Sequence, residues 1–146
     1  MLDDYIKKIV NQNIKRKLTV CFILTKEADI IIGYYTLSSD NIPLSELPEE
    51  IIKKMPRSYK NLPTTLIGRL AVDEKYKNKG YGRILLLDAL ERCYDISTGN
   101  IGSMAVVVDP LDNDAVKFYE HYGFIKLPDS GKMFLEMKKL RELFKI

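Results

Sequence analysis

Between Thr64 and Val108 the chain reads as strand, glycine turn, helix, strand, and few folds accommodate that order. Thr64 to Val72 and Gly102 to Val108 are nearly unbroken apolar runs, the pattern of strands buried on both faces. Tyr81 to Tyr94 reads as the helix that joins them, so the segment predicts a βαβ unit. A chain of 146 residues with 46% hydrophobic content can close one core without disulfides or metals. Residues 1–146 are therefore expected to form a single domain.

The flanking segments extend this unit. Leu2, Ile6, Ile9, Val10 and Ile14 recur at three- and four-residue spacings, which predicts an amphipathic helix over Leu2 to Lys15. Its lysines, with Lys17, face water. Leu18 to Leu24 and Ile30 to Leu37 are β-branched and aromatic runs with a short polar connection, the layout of an antiparallel hairpin. Ser38 to Pro63 carries Pro43, Pro48, Pro56 and Pro63 and reads as a long structured loop with a helical piece at Pro48 to Lys54. Asp112 to Tyr122 predicts a helix stopped by Gly123, and Lys132 to Met137 a last strand before a basic-apolar tail.

Charge and cysteine usage narrow the function classes. Basic residues outnumber acidic by 23 to 20, a net charge of +3 that is too small to argue for nucleic acid, so any basic site must be local. Cys21 and Cys93 lie in apolar segments without CxxC or metal-ligand spacing and are expected to be two buried small hydrophobes. No metal site is expected, and the cytoplasm is the expected compartment. No run approaches the roughly 18 apolar residues of a membrane span, and acids stand where a signal peptide carries bases.

Three clusters carry chemistry. Lys77-Asn78-Lys79-Gly80-Tyr81-Gly82-Arg83 sits between strand and helix, where backbone N–H groups and the helix dipole face an anion. Gly80 and Gly82 remove side chains where phosphate oxygens approach, and Lys77, Lys79 and Arg83 add charge. The spacing alone also fits a loop whose glycines only permit positive φ. Lys53, Lys54, Arg57 and Lys60, with Tyr59 among them and Arg69 on the following strand, suit a phosphodiester backbone, or simply a solvated loop. Tyr119 shares a helix face with Ala115, Phe118 and Tyr122, as a core aromatic would. His121 lies about 200° round the same helix from it and reads as solvated.

The loop at Lys77–Arg83, following Gly68-Arg69-Leu70-Ala71-Val72-Asp73, resembles the acyl-coenzyme A motif of the GNAT acetyltransferases. Lys77 departs from that motif, standing where Gln or Arg is usual. Asp112 to Phe124 resembles the family's second signature, with Tyr119 in the place of its tyrosine. Gly33-Tyr34-Tyr35-Thr36-Leu37-Ser38, Met55-Pro56-Arg57 and Leu62-Pro63 look like the GNAT toxins of bacterial toxin–antitoxin pairs. The resemblance implies an α+β GNAT (acyl-CoA N-acyltransferase) fold, a mixed, mostly antiparallel sheet flanked by helices, with the family's first strand absent or truncated. It implies acetyl-CoA as coenzyme, held by Lys77 to Arg83, by the backbone of Leu70, Ala71 and Val72, and by Asp112 or its neighbour Asn113. It implies Tyr119 as proton donor to the departing thiolate.

The acceptor implied by the resemblance is the α-amine of an aminoacyl-tRNA, bound through Lys53, Lys54, Arg57, Lys60 and Arg69, in a toxin that stops translation. Amine chemistry agrees with it. No Glu or His stands on Thr64 to Val72 to serve as base. A lysine acceptor would need roughly 4–5 kcal/mol at pH 7 to lose its proton, an α-amine about 1. Acetylation of a small amine or a protein N-terminus, and a non-catalytic coenzyme- or RNA-binding module, are the rival readings. Expected partners are acetyl-CoA, charged tRNA, a small ribbon-helix-helix antitoxin and a second copy of the chain, with no membrane.

Overall fold

The structure, a computed structural model, describes residues 17–27 and 30–144. The helix predicted over Leu2 to Lys15 lies outside them. The described strands are β1 (Val20–Lys26), β2 (Ile30–Pro43), β3 (Asn61–Val72), β4 (Ala105–Val108), β5 (Ile125–Lys126) and β6 (Met133–Glu136). The helices are α1 (Glu49–Ile52), α2 (Tyr81–Gly99), α3 (Asn113–His121) and α4 (Met137–Leu143). The strands form one mixed sheet in the order β1-β2-β3-β4-β6-β5, the α+β architecture expected.

The chain divides into two compact units, Met1–Ser38 with Ile67–Arg92, and Ser39–Leu66 with Cys93–Ile146. In the first, β1 and β2 pair antiparallel from Val20 opposite Leu37 to Lys26 opposite Ile30, the hairpin expected. Leu85, Leu86, Ala89 and Leu90 give α2 a buried stripe at helical spacing. Tyr35, fully buried on β2, donates its phenolic hydrogen to Asp88 Oδ2 on α2 (2.5 Å), which Arg92 Nε also reaches at 3.3 Å.

In the second unit Ile42, Leu47, Ile51, Leu62, Val107, Leu127 and Phe134 form a contiguous core. β6 sits between β4 and β5 and pairs antiparallel with both. α1 is one turn that seats Ile51 in the core.

Several boundaries differ from expectation, each for a local reason. β2 runs six residues past Leu37, through a polar stretch. Tertiary contacts override the weak propensity there: Ile42 is core, and Asp40 pairs with Lys132 at 3.8 Å. β3 starts at Asn61 and passes through Pro63, whose carbonyl accepts from Met104 N at 2.8 Å. α2 continues five residues past Tyr94, and Ser97 and Thr98 there return their hydroxyls to the carbonyls of Tyr94 and Asp95. β4 begins at Ala105 rather than Gly102, and the predicted last strand is Met133–Glu136. The basic-apolar tail, for which no element was predicted, forms α4, which buries Met137 and Leu140. Only Cys93 is fully buried, while Cys21 is half-buried on β1.

Burial sets the response to alkali. It pushes the Cys93 thiol and the Tyr119 phenol each up to about 12, and burial with the Asp88 hydrogen bond raises Tyr35 further. A raised folded-state pKa means the native chain holds the proton more tightly than the unfolded chain. The associated stability is complete below the unfolded pKa, about 8.5 for Cys and 10 for Tyr, and is lost as pH rises toward the folded value. Unfolding free energy should therefore fall above pH 9, by about 1.4 kcal/mol per pH unit for each group past its unfolded pKa. Urea titrations at a series of pH values from 8 to 11 test this, and a flat stability would contradict the burial of these groups.

Candidate active site

Local chemistry shapes the turn between β3 and α2. Asp73 ends β3 and accepts from Lys75 N at 3.0 Å, closing a 3-10 turn over Glu74–Tyr76. The chain then enters the left-handed region twice, at Asn78 (φ 63°) and Gly80 (φ 84°), before α2 begins at Tyr81. Alternation of handedness beside a helix start turns successive N–H groups toward one point, the geometry of an anion nest. The first N–H groups of the helix have no partner within it and add to the same field.

The two glycines separate here. Gly80 needs its positive φ, whereas Gly82 stands in the first turn of α2 and is not among the positive-φ residues. Glycine in a helix costs about 1 kcal/mol relative to alanine, so conformation gives no reason for Gly82, and its place in the first turn fits close approach of a ligand. A Cβ built at Gly80 meets nothing within 4 Å, so the space above the turn is open. Lys77, Lys79 and Arg83 are exposed around it, and Lys79 Nζ lies 5.8 Å from the centre of the Tyr76 ring. These features fit a pyrophosphate. Among the described residues no cluster of ligating side chains fits a metal ion.

Leu70, Ala71 and Val72 at the end of β3 are half-buried. Arg69, exposed beside them, donates its N–H to Thr36 Oγ1 at 3.0 Å, and Asp73 N donates to Ile32 O at 2.8 Å. β3 thus keeps hydrogen bonds to β2 on both sides of these three residues, one to the Thr36 hydroxyl and one to the Ile32 carbonyl.

In the second unit, Tyr119 sits on α3 with 8% of its surface exposed. Its ring lies 5.3 Å from those of Phe118 and Phe124. A Schellman motif fixes its backbone: Phe124 N donates to Tyr119 O (3.2 Å) and Gly123 N to Glu120 O (3.0 Å), with Gly123 at φ 95°. Gly123 is thus the helix stop that was expected. Among the described residues the Tyr119 hydroxyl has no hydrogen-bond partner, yet it is not a sealed polar atom, a condition found only at Thr64 Oγ1. An enclosed ring with an unpartnered hydroxyl fits a proton donor as well as a core aromatic. Burial penalises the phenolate and pushes its pKa from the ordinary tyrosine value of about 10 up to about 12.

The remaining residues fall less evenly. Asp112 Oδ1 caps α3 by accepting from Ala115 N at 2.8 Å, so one carboxylate oxygen is committed, and Asn113 opens the helix, exposed. His121 is exposed, as expected. Lys53, Lys54, Arg57 and Lys60 are exposed in the second unit, with Tyr59 51% exposed, whereas Arg69 belongs to the first. Lys138 joins the basic group: hydrogen-bond contact with it, and then its charge, hold the Lys54 ammonium below the usual lysine pKa. Its other neighbour is Glu136, at 3.9 Å. Lys138 escaped sequence reading because only the fold of α4 brings it near Lys54.

Residues 3–124 match the acetyltransferase (GNAT) family. The chain is 34% identical over 143 residues to the tRNA-acetylating toxin of Mycobacterium tuberculosis, covering 97% of this chain and 83% of the relative. It is similar to AtaT complexed with acetyl-methionyl-tRNAfMet, with 28% identity, a TM-score of 0.88, and coverage of 98% of this chain and 85% of that one. AtaTR bound with AcCoA is similar at 27% identity and TM-score 0.83, with coverage of 98% and 84%. A mutant AtaT toxin bound to the C-terminus of the antitoxin AtaR is similar at 25% identity and TM-score 0.80, with coverage of 99% and 84%.

Proposed function

Since the chain belongs to the acetyltransferase (GNAT) family, we propose that it transfers acetyl from acetyl-CoA to the α-amine of an aminoacyl-tRNA and acts as a translation-blocking toxin. The observation that carries this is the likeness, across 98% of the chain, to a toxin seen with an acetylated aminoacyl-tRNA. The family match runs through both compact units, which supports their working as one catalytic domain. An antitoxin of the ribbon-helix-helix class fits as partner, in line with the AtaT–AtaR complex. Among the described residues no helix is long and apolar enough to cross a membrane, and the compartment that holds charged tRNA is the cytoplasm.

In this mechanism the backbone N–H groups of Lys77 to Arg83 and the three cations there hold the pyrophosphate. The backbone of Leu70, Ala71 and Val72 aligns the pantetheine, and one N–H stabilises the oxyanion as the amine nitrogen bonds to the carbonyl carbon. Bound acetyl-CoA supplies the acyl group and a thiolate leaving group. As the C–S bond breaks, Tyr119 gives its phenolic proton to the sulfur; the new N–H⁺ loses its proton to water, and solvent returns a proton to the Tyr119 phenolate before the next turnover. Lys53, Lys54, Arg57, Lys60 and Arg69 hold the RNA body.

The test is labelled acetyl-CoA with total charged tRNA, then identification of the acetylated aminoacyl species. If two loop cations touch phosphate, the Arg57→Glu, Lys60→Glu variant should flatten the salt dependence of tRNA binding by about 1.4 log units per log salt. Acetylation of a minimal aminoacyl ester should stay unchanged. Equal efficiency on the ester and on charged tRNA would replace this reading by acetylation of a small amine or a protein N-terminus. Coenzyme binding without turnover on any amine would leave a non-catalytic module.

A further inference from the structure

Gly33 is fully buried in β2, and it is not among the residues with positive φ. Glycine weakens a strand interior, and when φ does not require it the usual cause is close approach of another backbone. A Cβ at Gly33 would lie 2.5 Å from the carbonyl oxygen of Ala71, 2.8 Å from Leu85 Cδ1 and 3.3 Å from Val72 Cα. Leu85 Cδ1 is the far end of a flexible side chain and can yield. The Ala71 carbonyl cannot, because Asp73 N is tied to Ile32 O, one residue from Gly33. Gly68 differs: a Cβ there meets only the Thr36 hydroxyl, at 3.0 Å.

We propose that Gly33 is a positioning residue for acetyl-CoA: its missing side chain lets the Ala71–Val72 backbone settle against β2, where it aligns the pantetheine arm. This rests on the assignment of Leu70 to Val72 as the pantetheine-binding backbone. With a methyl group at position 33, the carbonyl must retreat by roughly 1 Å to restore an ordinary contact of 3.4 Å. A displacement of about that size can cost on the order of 10²-fold where geometry is critical. The effect is confined to the pantetheine half, since the turn from Lys77 to Arg83 that receives the nucleotide half is not what Gly33 touches.

Calorimetric titration of Gly33→Ala with acetyl-CoA and with 3′-phosphoadenosine 5′-diphosphate tests this. Affinity for acetyl-CoA should fall by about tenfold or more, while that for the nucleotide stays within about twofold of wild type. Gly68→Ala should bind both probes normally. The Gly33→Ala, Leu85→Ala double variant removes the side-chain contact and keeps the clash with Ala71, so it should show the same split; it also supplies the measurement if the single variant does not fold. Equal weakening of both probes, unchanged acetyl-CoA affinity, recovery in the double variant, or failure of both to fold would each overturn the proposal. A wild-type chain that binds neither probe would instead remove the coenzyme assignment itself.

Discussion

Tyr119→Phe should lower acetyl transfer by about 10²–10⁴-fold, the range for a lost general acid, with coenzyme affinity and melting temperature unchanged. The hydroxyl has no partner among the described residues, so its removal strands nothing. The ring, 5.3 Å from Phe118 and Phe124, keeps its packing. The pH profile adds a second reading of the same group. With its pKa pushed up to about 12, Tyr119 remains protonated throughout the working range. The rate should rise as the acceptor amine loses its proton, near 7.7–8.0 or below for an α-amine, with no falling limb from Tyr119 below about pH 10. Wild-type turnover in the phenylalanine variant would return Tyr119 to the role of a core aromatic.

The second large effect concerns the turn before α2. Gly80→Val forces a β-branched residue into a left-handed backbone and fills the open space above it, so the thermal shift produced by acetyl-CoA should vanish. Gly82→Ala separates ligand approach from conformation. Alanine favours a helix, so the unliganded protein should melt at the same temperature or higher, by about 0.5–1 kcal/mol in stability, yet lose the acetyl-CoA shift. Both measurements come from one set of melting curves with and without acetyl-CoA. Retention of the full shift in both variants would dismiss the cradle.

Sequence legibility followed the range of the physics involved. The turn at Lys77 to Arg83 was readable because its requirements are local: glycine, charge, and a helix start. The same holds for Gly123, which stops α3 where the chain pattern put it. Tyr119 was singled out only through its resemblance, since its spacing with Phe118 and Tyr122 also describes a core face. What stayed hidden depends on distant residues. The polar end of β2 is a strand because Ile42 finds a core and Asp40 finds Lys132. β5 is two residues long, too short for any period to register. Lys138 reaches Lys54 only through the fold of α4, and Gly33 reads as part of a motif whose reason is a carbonyl 38 positions away.

The thiols carry a consequence for assay design. Cys93 has no exposed surface and a pKa near 12, and burial also raises that of the half-buried Cys21. Thiolate is the reactive form, and at neutral pH neither side chain supplies much of it. Each turnover releases one free coenzyme thiol into the same solution. A chromogenic disulfide reagent added to the native enzyme will therefore count turnovers against a nearly silent protein background, and the same reagent in denaturant will titrate the protein itself.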